Sequence, residues 1–114
     1  MLNHKCGGSL INKNFVLTAA HCIKNDKFSS SDLRLIFGAT NINNTDERGR
    51  RERNVLKTFI HPKYNSNFHY YDVGLILLDQ QIKYSDYIRP ICLPTKSTTN
   101  LELRSDRPAQ LIGL

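Results

Sequence analysis

Histidine and carboxylate side chains are the types that proton chemistry needs, and among the four histidines and ten acids of this sequence His21 and Asp72 have the most distinctive neighbours. Histidine is the side chain whose ordinary pKa lies near neutral pH, so it can take up and return a proton there. His21 follows two alanines and precedes Cys22, and on those neighbours alone it reads first as a surface histidine beside a cysteine. Asp72 stands directly before the apolar run 73–78, Val-Gly-Leu-Ile-Leu-Leu. A carboxylate at the mouth of so apolar a strand needs a partner, and His21 is a good candidate. The remaining histidines are plainer: His4 lies by the chain start, His61 precedes Pro62, and His69 falls in a polar stretch three residues before Asp72. Three cysteines, Cys6, Cys22 and Cys92, make an odd set, which in a disulfide-type protein suggests a partner outside the chain. No grouping of His, Cys and Asp has a metal-ligand spacing that competes with a disulfide reading, so neither a metal nor a cofactor is expected. Asn43-Asn44-Thr45 matches the N-glycosylation pattern, making Asn43 a candidate acceptor if the protein is secreted.

The elements that must position these residues are short strands. Residues 8–11 lead through the turn Asn12-Lys13-Asn14 to a second strand at 15–18, so the two could form a hairpin. Residues 19–22 read as a tight helical turn. Leu33, Leu35 and Phe37 alternate with Arg34 and Ile36 in a half-buried strand pattern. Residues 40–49 read as loop, 55–60 as a strand closed by His61-Pro62, and 65–71 as a long polar-aromatic loop. Residues 73–78 read as a buried strand, 91–94 as a short extended piece and 109–112 as a last strand. About six short strands and no long helix predict an all-β fold, a small antiparallel barrel.

Composition narrows the function classes. With 114 residues, 39% hydrophobic and 23% charged, the chain is one ordinary globular domain. No apolar run reaches 18 residues, so no membrane span is expected. Met1-Leu2-Asn3-His4-Lys5-Cys6 has no apolar core and does not read as a signal peptide. Sixteen Lys and Arg against ten acids give a net charge of +6, which favours acidic partners. Four arginines cluster in Arg48-Gly49-Arg50-Arg51-Glu52-Arg53, but the interrupting glutamate and Glu47 weaken a nucleic-acid reading. A solvated loop or strand edge is the first reading of that stretch, and a docking surface for a protein or polyanion the second.

Three motifs carry a family resemblance. Cys6-Gly7-Gly8-Ser9-Leu10-Ile11 followed by Val16-Leu17-Thr18-Ala19-Ala20-His21-Cys22, then Tyr71-Asp72-Val73-Gly74-Leu75-Ile76-Leu77-Leu78, then Ile88-Arg89-Pro90-Ile91-Cys92-Leu93-Pro94 together resemble the trypsin-like (chymotrypsin-fold) serine proteases. The resemblance covers nearly the whole chain. It implies that residues 1–114 are a partial peptidase domain: a six-stranded antiparallel Greek-key barrel, the first of the family's two. It implies His21 as general base and Asp72 as the carboxylate that orients it. It implies a Cys6–Cys22 disulfide beside the histidine, His69 lining the pocket for the substrate residue next to the cleavage site, and Cys92 bonded to an upstream light chain or pro-domain.

The departures limit what the chain does alone. No Gly-Asp-Ser-Gly-Gly segment surrounds any of its serines (Ser9, Ser29, Ser30, Ser31, Ser66, Ser85, Ser97, Ser105). The family's activation sequence, oxyanion hole and specificity pocket are absent from the chain, which ends on Ile112-Gly113-Leu114 where Gly-Trp-Gly is usual. Ala39, Arg50 and Arg51 stand where the family's calcium loop has acidic ligands, so no calcium is expected there. Gly74 replaces the usual alanine, a packing change expected to matter little. The expectation is therefore the histidine-and-aspartate half of a secreted, zymogen-type serine endopeptidase, inactive by itself. Its partners would be a protein or peptide substrate, a pro-domain through Cys92 and a protein inhibitor, with no nucleic acid and no membrane. A non-catalytic homologue serving as a binding or cofactor module is the second reading, and a polyanion-binding protein built on the arginine stretch the third.

Overall fold

The computed structural model describes residues 6–24, 32–41, 44, 46–68 and 70–94. Among these, five strands and one helical turn follow in chain order: β1 (Ser9–Leu10), β2 (Phe15–Thr18), α1 (Ala20–Ile23), β3 (Arg34–Phe37), β4 (Arg51–Ile60) and β5 (Gly74–Leu78). They form one antiparallel sheet in the order β1-β2-β5-β4-β3. The chain passes from β2 through α1 to the far edge and steps back by β4 to β5, which lies beside β2. That return is a Greek-key connection. The expected strand at 109–112 lies outside the described residues.

Local chemistry explains the elements. The Asn12 side-chain oxygen accepts the N–H groups of Asn14 (2.8 Å) and Phe15 (2.9 Å), which closes the β1–β2 turn. β5 then registers on both neighbours through apolar pairs, Val16 opposite Ile76 on β2 and Val55 opposite Leu78 on β4. Leu10, Val16, Phe37, Val55, Ile76, Leu78, Ile82 and Ile88 form one buried cluster. It joins Leu10 of one edge strand to Phe37 of the other, so the sheet curls around its own core.

Two strands differ from the pattern read in sequence. β4 begins at Arg51 instead of 55, because its charged first turn pairs with β3: Phe37 faces Arg51, Ile36 faces Glu52 and Leu35 faces Arg53. The second half of the arginine stretch, Arg51 to Arg53, is thus strand, and the stretch is tied by its own acid. Glu52 accepts a hydrogen bond from Arg50 at 2.8 Å and lies 3.7 Å from Arg34, while Arg53 donates to the Gln81 carbonyl. Arg50 itself is buried. Further along, a bulge at Leu56 lets Val55 face Leu78 and Lys57 face Leu77. The extra residue reverses the inward parity, so Val55 points into the core, Leu56 is exposed, and Thr58 pairs with buried Ile76. β5 starts at Gly74, and Val73 is exposed, not buried. A Cβ at Gly74 would stand 2.6 Å from Ile23 Cδ1, the far end of a side chain that can shift, and 3.3 Å from the Phe59 carbonyl oxygen.

Between β3 and β4, Glu47 organises the loop. Its carboxylate accepts the backbone N–H groups of Thr40 and Asn41, both at 2.7 Å, and the Thr40 hydroxyl at 3.0 Å. Those bonds to the Thr40 and Asn41 amides hold its pKa below the ordinary 4.5, with smaller help from the Thr40 hydroxyl and the Arg50 charge against a desolvation cost. A carboxyl with a lowered pKa in the folded state stabilises the fold above its unfolded value and ceases to do so as pH falls through the folded one. The Thr40 and Asn41 amide proton shifts are therefore expected to hold constant above about pH 4.5 and to move on further acidification. In Glu47→Gln the same shifts should lose that dependence.

Gly38, at φ 68°, turns the chain out of β3 where a Cβ would meet the Gly49 carbonyl oxygen at 2.3 Å. Gly38→Ala is expected to cost about 1–3 kcal/mol in backbone strain, before the clash is relieved. Gly7→Ala, where a Cβ meets nothing within 4 Å, should leave chemical denaturation of the full-length protein unchanged.

Candidate active site

β2 ends at Thr18, and the chain turns at once into α1, a single helical turn closed by the Lys24 N–H on the Ala20 carbonyl at 2.9 Å. The two alanines make this tight turn feasible, since Ala20 is completely buried and a larger side chain would displace the core. His21 follows on the exposed side. Cys22 is disulfide-bonded to Cys6, with Cα atoms 6.1 Å apart, so α1 is stapled to the segment entering β1. The Thr18 hydroxyl, donating to the Gly7 carbonyl at 2.9 Å, adds a second tie between the same segments.

Asp72 arrives just before the neighbouring strand β5, whose first residue Gly74 lies opposite Thr18. Although 51 positions from His21 in sequence, it holds that residue at two points: Oδ1 accepts the His21 backbone N–H at 2.8 Å and Oδ2 meets His21 Nδ1 at 2.5 Å. An ionised carboxylate can only accept hydrogen bonds, so Nδ1 must carry the proton. The lone pair is thereby left on Nε2, which lies 3.7 Å from Cys22 Sγ, on a side chain that is 52% exposed, while the Asp72 side chain is 21% exposed. The arrangement can therefore receive a proton on Nε2 and stabilise the resulting imidazolium with a half-buried negative charge.

Sequence reasoning passed over two residues beside Asp72. Tyr71 has φ 55°, a left-handed conformation that costs a bulky side chain about 1–3 kcal/mol and persists only where the surroundings impose it. His61 stacks on the Tyr71 ring, with centroids 4.7 Å apart and planes 19° from parallel. No sequence signal marks a left-handed tyrosine, because that conformation usually announces itself as Gly or Asn.

The other candidates separate. Cys92 is a free, exposed thiol among the described residues. His69 and Asn43 lie outside the described residues. Cys6, His21 and Cys22 place three ligand-type atoms within 4.8 Å, but both sulfurs are consumed by the disulfide and offer no thiolate to a metal. No helix among the described residues is long and apolar enough to cross a membrane.

Known proteins resemble the chain over most of its length. The Trypsin family model matches residues 2–107. The chain is 47% identical over 105 residues to serine protease Hayan of Drosophila melanogaster, covering 92% of this chain and 15% of that protein. It is 38% identical over 100 residues to the clotting factor G beta subunit of Tachypleus tridentatus, covering 88% of this chain and 32% of that one. Against coagulation factor IX of Oryctolagus cuniculus it is 38% identical over 100 residues, 86% of this chain and 34% of that protein. The chain thus spans between 15% and 34% of the length of these relatives.

The disulfide closes a loop of 16 residues that ends beside His21. Its loss, in Cys6→Ser with Cys22→Ser, is expected to lower stability by roughly 3 kcal/mol in the chain-entropy account. Calorimetry of the full-length protein, oxidised against doubly substituted, checks the value.

Proposed function

The chain belongs to the trypsin-like serine protease family, and on that premise we propose that it carries the base and the orienting carboxylate of a serine endopeptidase, His21 and Asp72. The observation that supports the reading best is the two-point hold of Asp72 on His21, at 2.8 and 2.5 Å. A serine hydroxyl is a weak nucleophile near neutral pH and needs a base to take its proton as it attacks a carbonyl carbon. With Nδ1 protonated against Asp72, His21 Nε2 is the nitrogen that carries the lone pair and acts as the base. It takes the hydroxyl proton as the serine oxygen bonds to the peptide carbonyl. It then delivers that proton to the leaving amine as the C–N bond breaks, leaving an acyl-enzyme. In the second half-reaction it activates water in the same way and returns the proton to serine. Asp72 stays ionised throughout and favours the imidazolium that forms in each half.

None of the chain's serines lies in the family's nucleophile segment, so the 114-residue chain alone is proposed to be inactive and to act with a complementary second barrel. Protein or peptide is the substrate class. The Cys6–Cys22 disulfide favours an oxidising, extracellular setting. Exposed Cys92 is suited to a disulfide with a pro-domain, as in zymogens of the family.

The test is made on the activated full-length protein. Asp72→Asn is expected to lower kcat on peptide substrates on the order of 10⁴-fold, the loss characteristic of this triad, with KM little changed. His21→Ala should likewise abolish labelling of the serine by a fluorophosphonate. A folded full-length protein that neither cleaves peptides nor takes the label would instead be a non-catalytic binding module.

A further inference from the structure

Asp72 works only if its carboxylate stays aimed at His21, and the two bonds it makes to His21 do not fix its own backbone. The residues on either side of it are both anchored to His61. On the N-terminal side, the Tyr71 ring lies stacked on the His61 imidazole. On the C-terminal side, the His61 N–H donates to the Val73 carbonyl at 3.0 Å. Between them the Val73 N–H donates to the Tyr71 carbonyl at 2.8 Å, so Asp72 forms the apex of a three-residue turn.

His61 is itself held rigid. Residues 61–64 make a turn closed by the Tyr64 N–H on the His61 carbonyl at 3.0 Å, with Pro62 at the position where its fixed φ favours turning. The Lys63 N–H donates to His61 Nδ1, also at 3.0 Å, which sets the ring plane. The Lys63 ammonium lies 5.7 Å from the Tyr71 ring centroid and closes the stack from a second direction. Tyr71 thus adopts its left-handed φ against a ring that cannot rotate away.

We propose that His61 is a positioning residue for the reaction: its imidazole, stacked on Tyr71, holds the Asp72 turn so that the carboxylate meets both the ring and the backbone of His21. This rests on the reading of His21 and Asp72 as base and carboxylate. His61 does not itself exchange a proton with substrate. Its ring face against Tyr71 is what acts, so a phenyl ring at 61, which keeps the stack and loses only the Lys63 N–H bond that orients the imidazole, should restore most of the function.

The experiment uses activated full-length protein and four variants, His61→Ala, His61→Phe, Tyr71→Asn and Asp72→Asn. Removing the stack misplaces a reacting group by a fraction of its hydrogen-bond length, which costs roughly 10- to 100-fold in kcat. His61→Ala should show that loss with KM within about twofold of wild type, and His61→Phe should recover most of it. Tyr71→Asn keeps a residue tolerant of positive φ but removes the ring, so it should match His61→Ala and serves if that variant fails to fold. In proton NMR the downfield His21 Nδ1–H signal should broaden or vanish in His61→Ala and Tyr71→Asn and persist in His61→Phe. Wild-type kcat and an unchanged signal in both stack-deleting variants, with Asp72→Asn inactive, would overturn the inference and leave the catalytic reading standing. Equal losses in His61→Ala and His61→Phe would also overturn it. Full activity in Asp72→Asn would remove the catalytic reading itself.

Discussion

The contact between Asp72 and His21 constrains almost everything else in this chain. A carboxylate that bonds both the ring and the backbone of one histidine must reach it from a fixed direction, so two segments far apart in sequence have to meet within a few tenths of an ångström. The Greek-key order provides that meeting by setting β5 beside β2, with Thr18 opposite Gly74 at the ends where the two segments diverge. His21 lies just past one strand end and Asp72 just before the other.

Packing makes the meeting durable. The apolar pairs along β2, β5 and β4 set a register that a one-residue slip would turn inside out, exposing Ile76 and Leu78. Curling the sheet brings Leu10 and Phe37 into one core, and Ile82 and Ile88 fill it from the segment after β5. The disulfide and the Thr18–Gly7 bond then fix α1 to the near edge. Gly74 lies against Ile23 of the helical turn.

Charge is spent locally in this molecule despite its net +6. Glu52 takes up Arg50 and lies near Arg34, Glu47 is bound by its own loop amides, and Arg53 reaches a backbone carbonyl. Of the arginines that look like an anion-binding run in sequence, Arg50 and Arg51 bond within the run itself and Arg53 ties β4 to the segment after β5. Alternation along β4 placed them next to Glu52, and that pairing made a strand of residues that resemble a loop.

Much of this was legible in the residues themselves. Short apolar runs between turn signals foretold an all-β antiparallel chain, and Asn12-Lys13-Asn14 foretold the first hairpin, since both depend on near neighbours. The three motifs pointed to His21, Asp72 and the Cys6–Cys22 pair because those residue types in that order are uncommon outside one family. Other features were settled only by the fold. The bulge at Leu56, the early start of β4 and the burial of Arg50 follow from which strand lies alongside, and no local pattern encodes that. Tyr71 takes a backbone conformation that tyrosine disfavours because the His61 ring, brought near by the turn at Pro62, lies against it. Residue types by themselves determined which groups are capable of exchanging a proton. Tertiary structure decided which nitrogen of His21 is protonated against Asp72, because a tautomer is set by the partner across space and not by the neighbours along the chain.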